Sequence, residues 1–220
     1  MNFKTDDRSL KLATSLAKNT KNSITHQKVL HILSHYPHPD VRKLVAKHKN
    51  THQDTLHKLS DDPHWEIRKL VASHNNTHQD TLHKLSDDPD VRWRVAIHKN
   101  THQDTLHKLS DHTDSLNTWQ VRELVALNNN THQDTLHKLS DDPDYRVRIL
   151  VAENNNTQKD TLHKLSDHTD SLNTWQVRRA VASNKNTHQD TLHKLSDDPS
   201  EYVRRAANKQ LREYINEKIN

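Results

Sequence analysis

One eleven-residue phrase, Thr-His-Gln-Asp-Thr-Leu-His-Lys-Leu-Ser-Asp, constrains this chain more than any other feature. It stands at 51–61 and returns, intact or nearly so, at 77, 101, 131, 157 and 187, with a worn copy at 25–34. Between copies runs a second phrase, Val-Arg-x-x-Val-Ala-x-(His/Asn)-x-Asn, as in Val41-Arg42-Lys43-Leu44-Val45-Ala46 and Val121-Arg122-Glu123-Leu124-Val125-Ala126. Full repeats begin at Thr25, Thr51, Thr77, Thr101, Thr131, Thr157 and Thr187, spaced 26, 26, 24, 30, 26 and 30 residues apart. A period in this range marks an array of small units that bury apolar surface only against their neighbours. The two longer units carry His-Thr-Asp-Ser-Leu-Asn-Thr-Trp-Gln at 112–120 and 168–176, so a two-repeat block has been duplicated.

Composition matters here chiefly for what it excludes. Of 220 residues, 30% are hydrophobic and 28% charged, values that alone would fit a disordered chain. The repeat changes that reading, because the few apolar residues recur at fixed positions and can share a core. A net charge of +4 is far from that of a dense nucleic-acid arm. With no cysteine there is no disulfide framework, thiolate metal site or thiol nucleophile. No apolar run is long enough for a membrane span, and Met1–Arg8 has no apolar signal region, so a cytoplasmic, membrane-free monomer is expected. Glycine is absent as well, so the joints His48-Lys49-Asn50, Asn75-Asn76 and Asn128-Asn129-Asn130 are expected to end helices with left-handed asparagine. Asn75, Asn129 and Asn155 open sequons that read as turn chemistry.

Each repeat should hold two short helices. Thr51 suits an N-cap, with Asp54 where a capping-box acid belongs, and Leu56 and Leu59 share one face. Asp62-Pro63 should open the second helix, with Asp as N-cap and Pro at the first helical position. Thr118 and Thr174 take over as caps in the longer units. On the second helix, at 100° per residue, both valines, the leucine three after the first and the His or Asn seven after it face the partner helix. Arg and Ala point to the flank where the adjacent repeat packs. The chain then divides into a degenerate cap at 1–24 with Leu12, Leu16 and Ala17 at helical spacing and Asn19 and Asn22 echoing the joint, tandem repeats at 25–207, and a capping helix at 208–220, in one continuous domain.

The run Asp88-Pro89-Asp90-Val91-Arg92-Trp93-Arg94-Val95-Ala96-Ile97-His98-Lys99-Asn100-Thr101, followed by Asp104, Leu106 and Leu109, resembles the leucine-rich repeat variant family. Its Asp-Pro-Asp-Val-Arg element is similar to HEAT repeats. The resemblance covers roughly residues 25–207 and implies an all-α, right-handed α-solenoid of about seven two-helix repeats with capping units. Some family members carry an iron–sulfur cluster, and this chain has no cysteine to hold one. Relatives of either kind are mostly scaffolds for protein or nucleic-acid contacts, so the resemblance implies binding more than catalysis, and no cofactor.

Several residue sets invite chemistry. Arg42, Arg68, Arg92, Arg122, Arg148, Arg178 and Arg204 form a ladder that could bind phosphates. The favoured reading is an internal one, because the repeat supplies an Asp such as Asp62 or Asp88 wherever it supplies an Arg. Among the 21 histidines, His52, His78, His102, His132 and His188 form one ladder, and His57, His83, His107, His137, His163 and His193 another. Their i, i+5 spacing does not put both on one face, and copies one repeat apart are too distant for a shared metal, so no metal site is expected. Trp65, Trp119, Tyr145 and Trp175 read as plugs for the inter-helix loop, with base stacking as the alternative. The paired acids Asp61 and Asp62 recur in nearly every repeat, which suits capping and not a single catalytic site.

The most informative contrast is between what is copied and what is not. The first phrase is nearly invariant, whereas the second helix's solvent-directed positions read Lys43/Lys47, Lys69/Ser73, Trp93/Ile97, Glu123/Leu127, Ile149/Glu153 and Arg179/Ser183. A fixed frame with a varied exposed row is what a modular binding surface requires. Trp93, Ile97, Leu127 and Ile149 are apolar where solvent is expected. The row is basic, then apolar, then mixed, which suits a protein or peptide partner better than a uniformly basic nucleic-acid groove. The expectation is a non-enzymatic protein- or peptide-binding scaffold, with nucleic-acid binding through the Arg and Lys rows as the alternative.

Overall fold

The computed structural model describes residues 7–19, 24–112, 118–168 and 173–219. Among them the chain is all-helical, in pairs that follow the repeat. The helices are α1 (Asp7–Asn19), α2 (Ile24–Leu33), α3 (Pro39–Lys47), α4 (Gln53–Leu59), α5 (Trp65–Ala72), α6 (Gln79–Leu85), α7 (Arg92–Ile97), α8 (Gln103–Ser110), α9 (Thr118–Leu127), α10 (Gln133–Leu139), α11 (Tyr145–Glu153), α12 (Lys159–Leu165), α13 (Thr174–Ser183), α14 (Gln189–Leu195) and α15 (Glu201–Ile219). They fall into two compact units, Met1–Thr105 and Leu106–Asn220. The terminal helix starts at Glu201, inside the last repeat, and not at 208. Asn22 and most of both long inter-helix segments, at 113–117 and 169–172, lie outside the described residues, as does the side chain of Thr118.

The core is built from few residue types at copied positions. Leu56, Val71, Leu82, Val95 and Ala96 are fully buried in the first unit, as are Leu136, Val151, Ala152, Leu162 and Val181 in the second. The alanine after the second valine is buried in every repeat, where its small side chain lets helices of adjacent repeats approach. Leu44, Leu70, Leu124 and Leu150, expected against the partner helix, are only half-buried. In α1 the buried pair is Ala13 and Ala17, and Leu12 and Leu16 face outward.

Capping differs from expectation in an instructive way. Thr51 is buried and its hydroxyl donates to the Val45 carbonyl at 2.6 Å, tying the joint to the preceding helix. The N-cap is the next residue, His52, whose Nδ1 accepts from the Asp54 amide. Thr77, Thr101, Thr131, Thr157 and Thr187 repeat the threonine bond at 2.5–2.6 Å. Asp62 accepts from the His64 amide at 3.0 Å and so shapes the turn before α5, which starts two residues after Pro63. Pro39 alone opens a helix as expected, at the start of α3. The C-cap residues His48, His98, Asn154 and Asn184 are extended and not left-handed. Asn154 and Asn184 act at these ends through their side chains, which accept the amides of Asn156 and Asn186.

Candidate functional site

The invariant phrase is consumed by contacts between repeats. His57 Nδ1 meets the Thr81 hydroxyl of the next repeat at 2.8 Å, and His31, His83, His107, His137 and His163 repeat the pairing at 2.9–3.3 Å. Ser60 Oγ donates back to the His57 carbonyl, closing the helix end. Lys84 reaches Asp61 of the preceding repeat at 2.6 Å, and Lys164 reaches Asp141 at 2.5 Å. One ladder of histidines therefore caps helices and the other bridges repeats. Among the described residues, no cluster of three or more His, Asp or Glu is placed to hold a metal.

The arginine ladder is internal. Arg42 holds Asp62 through Nε at 2.7 Å and Nη2 at 3.1 Å, and the same two-pronged grip joins Arg68 to Asp88, Arg122 to Asp142 and Arg178 to Asp198. Nη1 meanwhile anchors the loop before its own helix, at the Tyr36 carbonyl for Arg42 and the Asp142 carbonyl for Arg148. In the longer units this anchor moves ten residues back, to the carbonyls of His112 and His168. Arg122, Arg148 and Arg178 are buried, so the ladder is internal, as expected from the aspartates that the repeat supplies.

A further element escaped the sequence reading. The residue seven after the first valine forms a polar spine along each unit. In the first, His74 Nε2 donates to the His48 carbonyl at 3.0 Å and His98 Nε2 to the His74 carbonyl at 3.1 Å. Their Nδ1 atoms accept from the amides of Asn76 and Asn100. In the second, Asn154 donates to the Ala126 carbonyl and Asn184 to the Ala152 carbonyl, each at 2.7 Å, while their Oδ1 atoms accept the amides of Asn156 and Asn186. Histidine fills this position in the first unit and asparagine in the second, because each offers an acceptor and a donor. That equivalence is the signal a sequence reader could have used.

The varied row divides in two. Six residues after the first valine, Lys47, Ser73 and Ile97 in the first unit and Leu127, Glu153 and Ser183 in the second are exposed, with Ile97 at 41% and Leu127 at 57%. Two after the valine, Lys43, Lys69, Trp93, Glu123 and Ile149 are half-buried where solvent was expected, and Arg179 is exposed. The half-buried set leans on the next repeat: Lys43 pairs with Glu66, and Glu123 lies 3.8 Å from Arg146. Burial pushes the Glu123 carboxyl above the ordinary carboxylate range, and Arg146 opposes that shift. Lys69 sits over the rings of both Trp65, at 5.3 Å, and Trp93, at 5.6 Å, and Arg94 covers Trp93 at 4.0 Å. In the second unit Arg146 covers Trp119 at 3.4 Å. Of the loop aromatics, Trp65 remains 47% exposed and Trp119, Tyr145 and Trp175 are half-buried.

Comparisons with known proteins come to the same architecture. The sequence profile described as leucine rich repeat variant matches residues 65–90, 119–144 and 175–200. A solved structure described as a leucine-rich repeat variant with a novel repetitive protein structural motif superposes with a TM-score of 0.62 at 24% identity, over 92% of this chain and 82% of that one. A designed armadillo repeat protein aligns over 92% of this chain and 98% of its own, at 17% identity and a TM-score of only 0.32. No curated protein matches.

Proposed function

We propose that the chain, three of whose repeats match the leucine rich repeat variant profile, is a non-enzymatic scaffold that binds a protein or peptide through the varied row of its second helices. The observation that carries this reading is the division of labour in the repeat. Residues copied from unit to unit are tied up in inter-repeat bonds, and the row six residues past the first valine is both exposed and varied, with Ile97 and Leu127 apolar in it. Exposed isoleucine and leucine on the same register in both units suit an apolar anchor on a partner. Lys47, Lys69, Glu153 and Arg179 supply charge around them that sets register. Lys43 and Trp93 in the first unit, and Glu123 and Ile149 in the second, are half-buried beside the exposed positions of their own helices. The competing nucleic-acid reading loses support, since Arg42, Arg68, Arg122 and Arg178 are held by aspartates and Arg148 and Arg204 by backbone carbonyls.

The test is selection from a displayed library of protein fragments, with parallel selection on the Ile97→Lys/Leu127→Lys variant. The expected result is a set of binders enriched on the native chain and absent from the variant. Equal enrichment on both would contradict the assignment. Anisotropy with single- and double-stranded nucleic acid at low salt, where phosphate attraction is strongest, is expected to show no tight complex.

A further inference from the structure

Two of the charges that stand two residues past the first valine meet an opposite charge on the next repeat, while Lys69 lies over the rings of Trp65 and Trp93. Lys43 meets Glu66, and Glu123 meets Arg146. The equivalent arginine, Arg179, lines a groove together with Tyr202, whose ring lies against Trp175 with centroids 5.2 Å apart. Among the described residues Arg179 is left without a carboxylate. Ser183 and Ala206 are short, and the space they leave is a groove of about 360 Å³ between α13 and α15. Its polar walls are Arg179, Ser183, Tyr202, Arg205, Lys209 and Gln210, with no acid among them. Arg205 and Lys209 have partners on their own helix, Glu201 at 2.6 Å and Glu213 at 3.7 Å, in exposed pairs of the kind that hold weakly. Three cations around an open groove lined with donors fit an anion, and two of them are arginines, whose forks match planar or tetrahedral oxyanions.

We propose that this groove binds an oxyanion carried on a peptide, either the carboxylate of an acidic segment or a phosphorylated side chain. Arg179 and Arg205 clamp the oxygens, Lys209 adds charge, and the exposed Tyr202 ring lies along the peptide. The proposal rests on the scaffold reading and gives the surface of the second unit a chemical preference. It does not depend on Ile97 or Leu127.

The test is fluorescence anisotropy of the full chain with four labelled peptides of one length: glutamate-rich, phosphoserine-containing, neutral and lysine-rich. The first two are expected to bind, and their ratio tells carboxylate from phosphate. Arg179→Glu/Lys209→Glu, both at exposed positions, should weaken them by about tenfold or more, while the charge-matched Lys49→Glu/Lys58→Glu in the first unit should leave binding within about twofold. Unchanged helical circular dichroism in both variants keeps the comparison valid. Equal binding of the neutral peptide, or equal loss in both variants, would overturn the proposal. So would tighter binding of single-stranded DNA than of either acidic peptide. Failure here with retained selection on Ile97 and Leu127 would sink the groove and leave the scaffold standing.

Discussion

Replacing Asp142 by alanine is expected to destabilise the second unit by about 3–5 kcal/mol, the range for removing one partner of a buried ion pair. Arg122 is 8% exposed and Asp142 6%. Its Nε and Nη2 bind the two Asp142 oxygens at 2.5 and 3.2 Å, and its Nη1 is committed to the His112 carbonyl. Asp142 also accepts the Asp144 amide at 2.9 Å, so the substitution strips a turn as well as a counter-charge. Three bonds fix the guanidinium in place, and it cannot move out to water without breaking the loop anchor. Asp90→Ala is the matched control: its carboxylate lies 3.1 Å from Arg68 but is mostly exposed, so about 0–1 kcal/mol is expected. Replacing both partners, as Arg122→Met/Asp142→Leu, should recover the part of the loss that comes from the stranded charge, while the bonds to the Asp144 amide and the His112 carbonyl stay lost. Urea unfolding followed by circular dichroism measures all three. An Asp142→Ala variant within about 1 kcal/mol of the native chain would show that the ladder does not hold the repeats.

The second large effect is an acid sensitivity confined to the first unit. His74 and His98 are buried, and their geometry requires a neutral ring with Nε2 protonated and Nδ1 free to accept. Burial lowers both pKa values below the ordinary histidine value, and the carbonyl each ring donates to pulls the other way. The folded state therefore binds fewer protons than the unfolded chain. The contribution of these rings is fully present above pH ~6.5 and is lost as pH falls from there through the lowered folded values. Asn154 and Asn184 fill the same place in the second unit and do not titrate. The bridging and capping histidines occur in both units. Hydrogen exchange of the full chain at pH 7.5 and 5.5 should thus show α5 and α7 losing protection more than α11 and α13. His74→Asn/His98→Asn, which copies the chain's own alternative, should abolish that difference. Equal loss in both units, or no effect of the asparagines, would rule the spine out as the cause.

How much of this was legible beforehand follows from where each signal lives. The paired helices, the apolar positions and the internal arginine ladder could be read because repetition exposes them: a contact between Arg42 and Asp62 is one fact stated several times. Capping was misread by one residue. Thr51 is a good cap in isolation, yet packing buries it against Val45, and histidine, a less usual cap, inherits the task. The half-burial of Lys43 and Glu123 was invisible on a helical wheel, because their partners Glu66 and Arg146 sit on the next repeat's helix, and a wheel carries one helix. The groove beside Arg179 was hidden for the same reason. It lies between α13 and α15, where Ser183 and Ala206 are short and Tyr202 packs on Trp175.

The central claim is that the copied phrase builds the frame and the varied row meets the partner. Serine already stands at 73 and 183 in that row, so a chain with serine also at 47, 97, 127 and 153 keeps the frame and erases the row. The most direct measurement is a calorimetric titration of a selected fragment into this variant, at a temperature where both chains are folded. The account predicts an unchanged unfolding midpoint and an affinity at least about a hundredfold weaker, roughly 2.7 kcal/mol of lost anchor contacts. Native affinity in the serine chain would contradict it and place the binding surface elsewhere on the repeats.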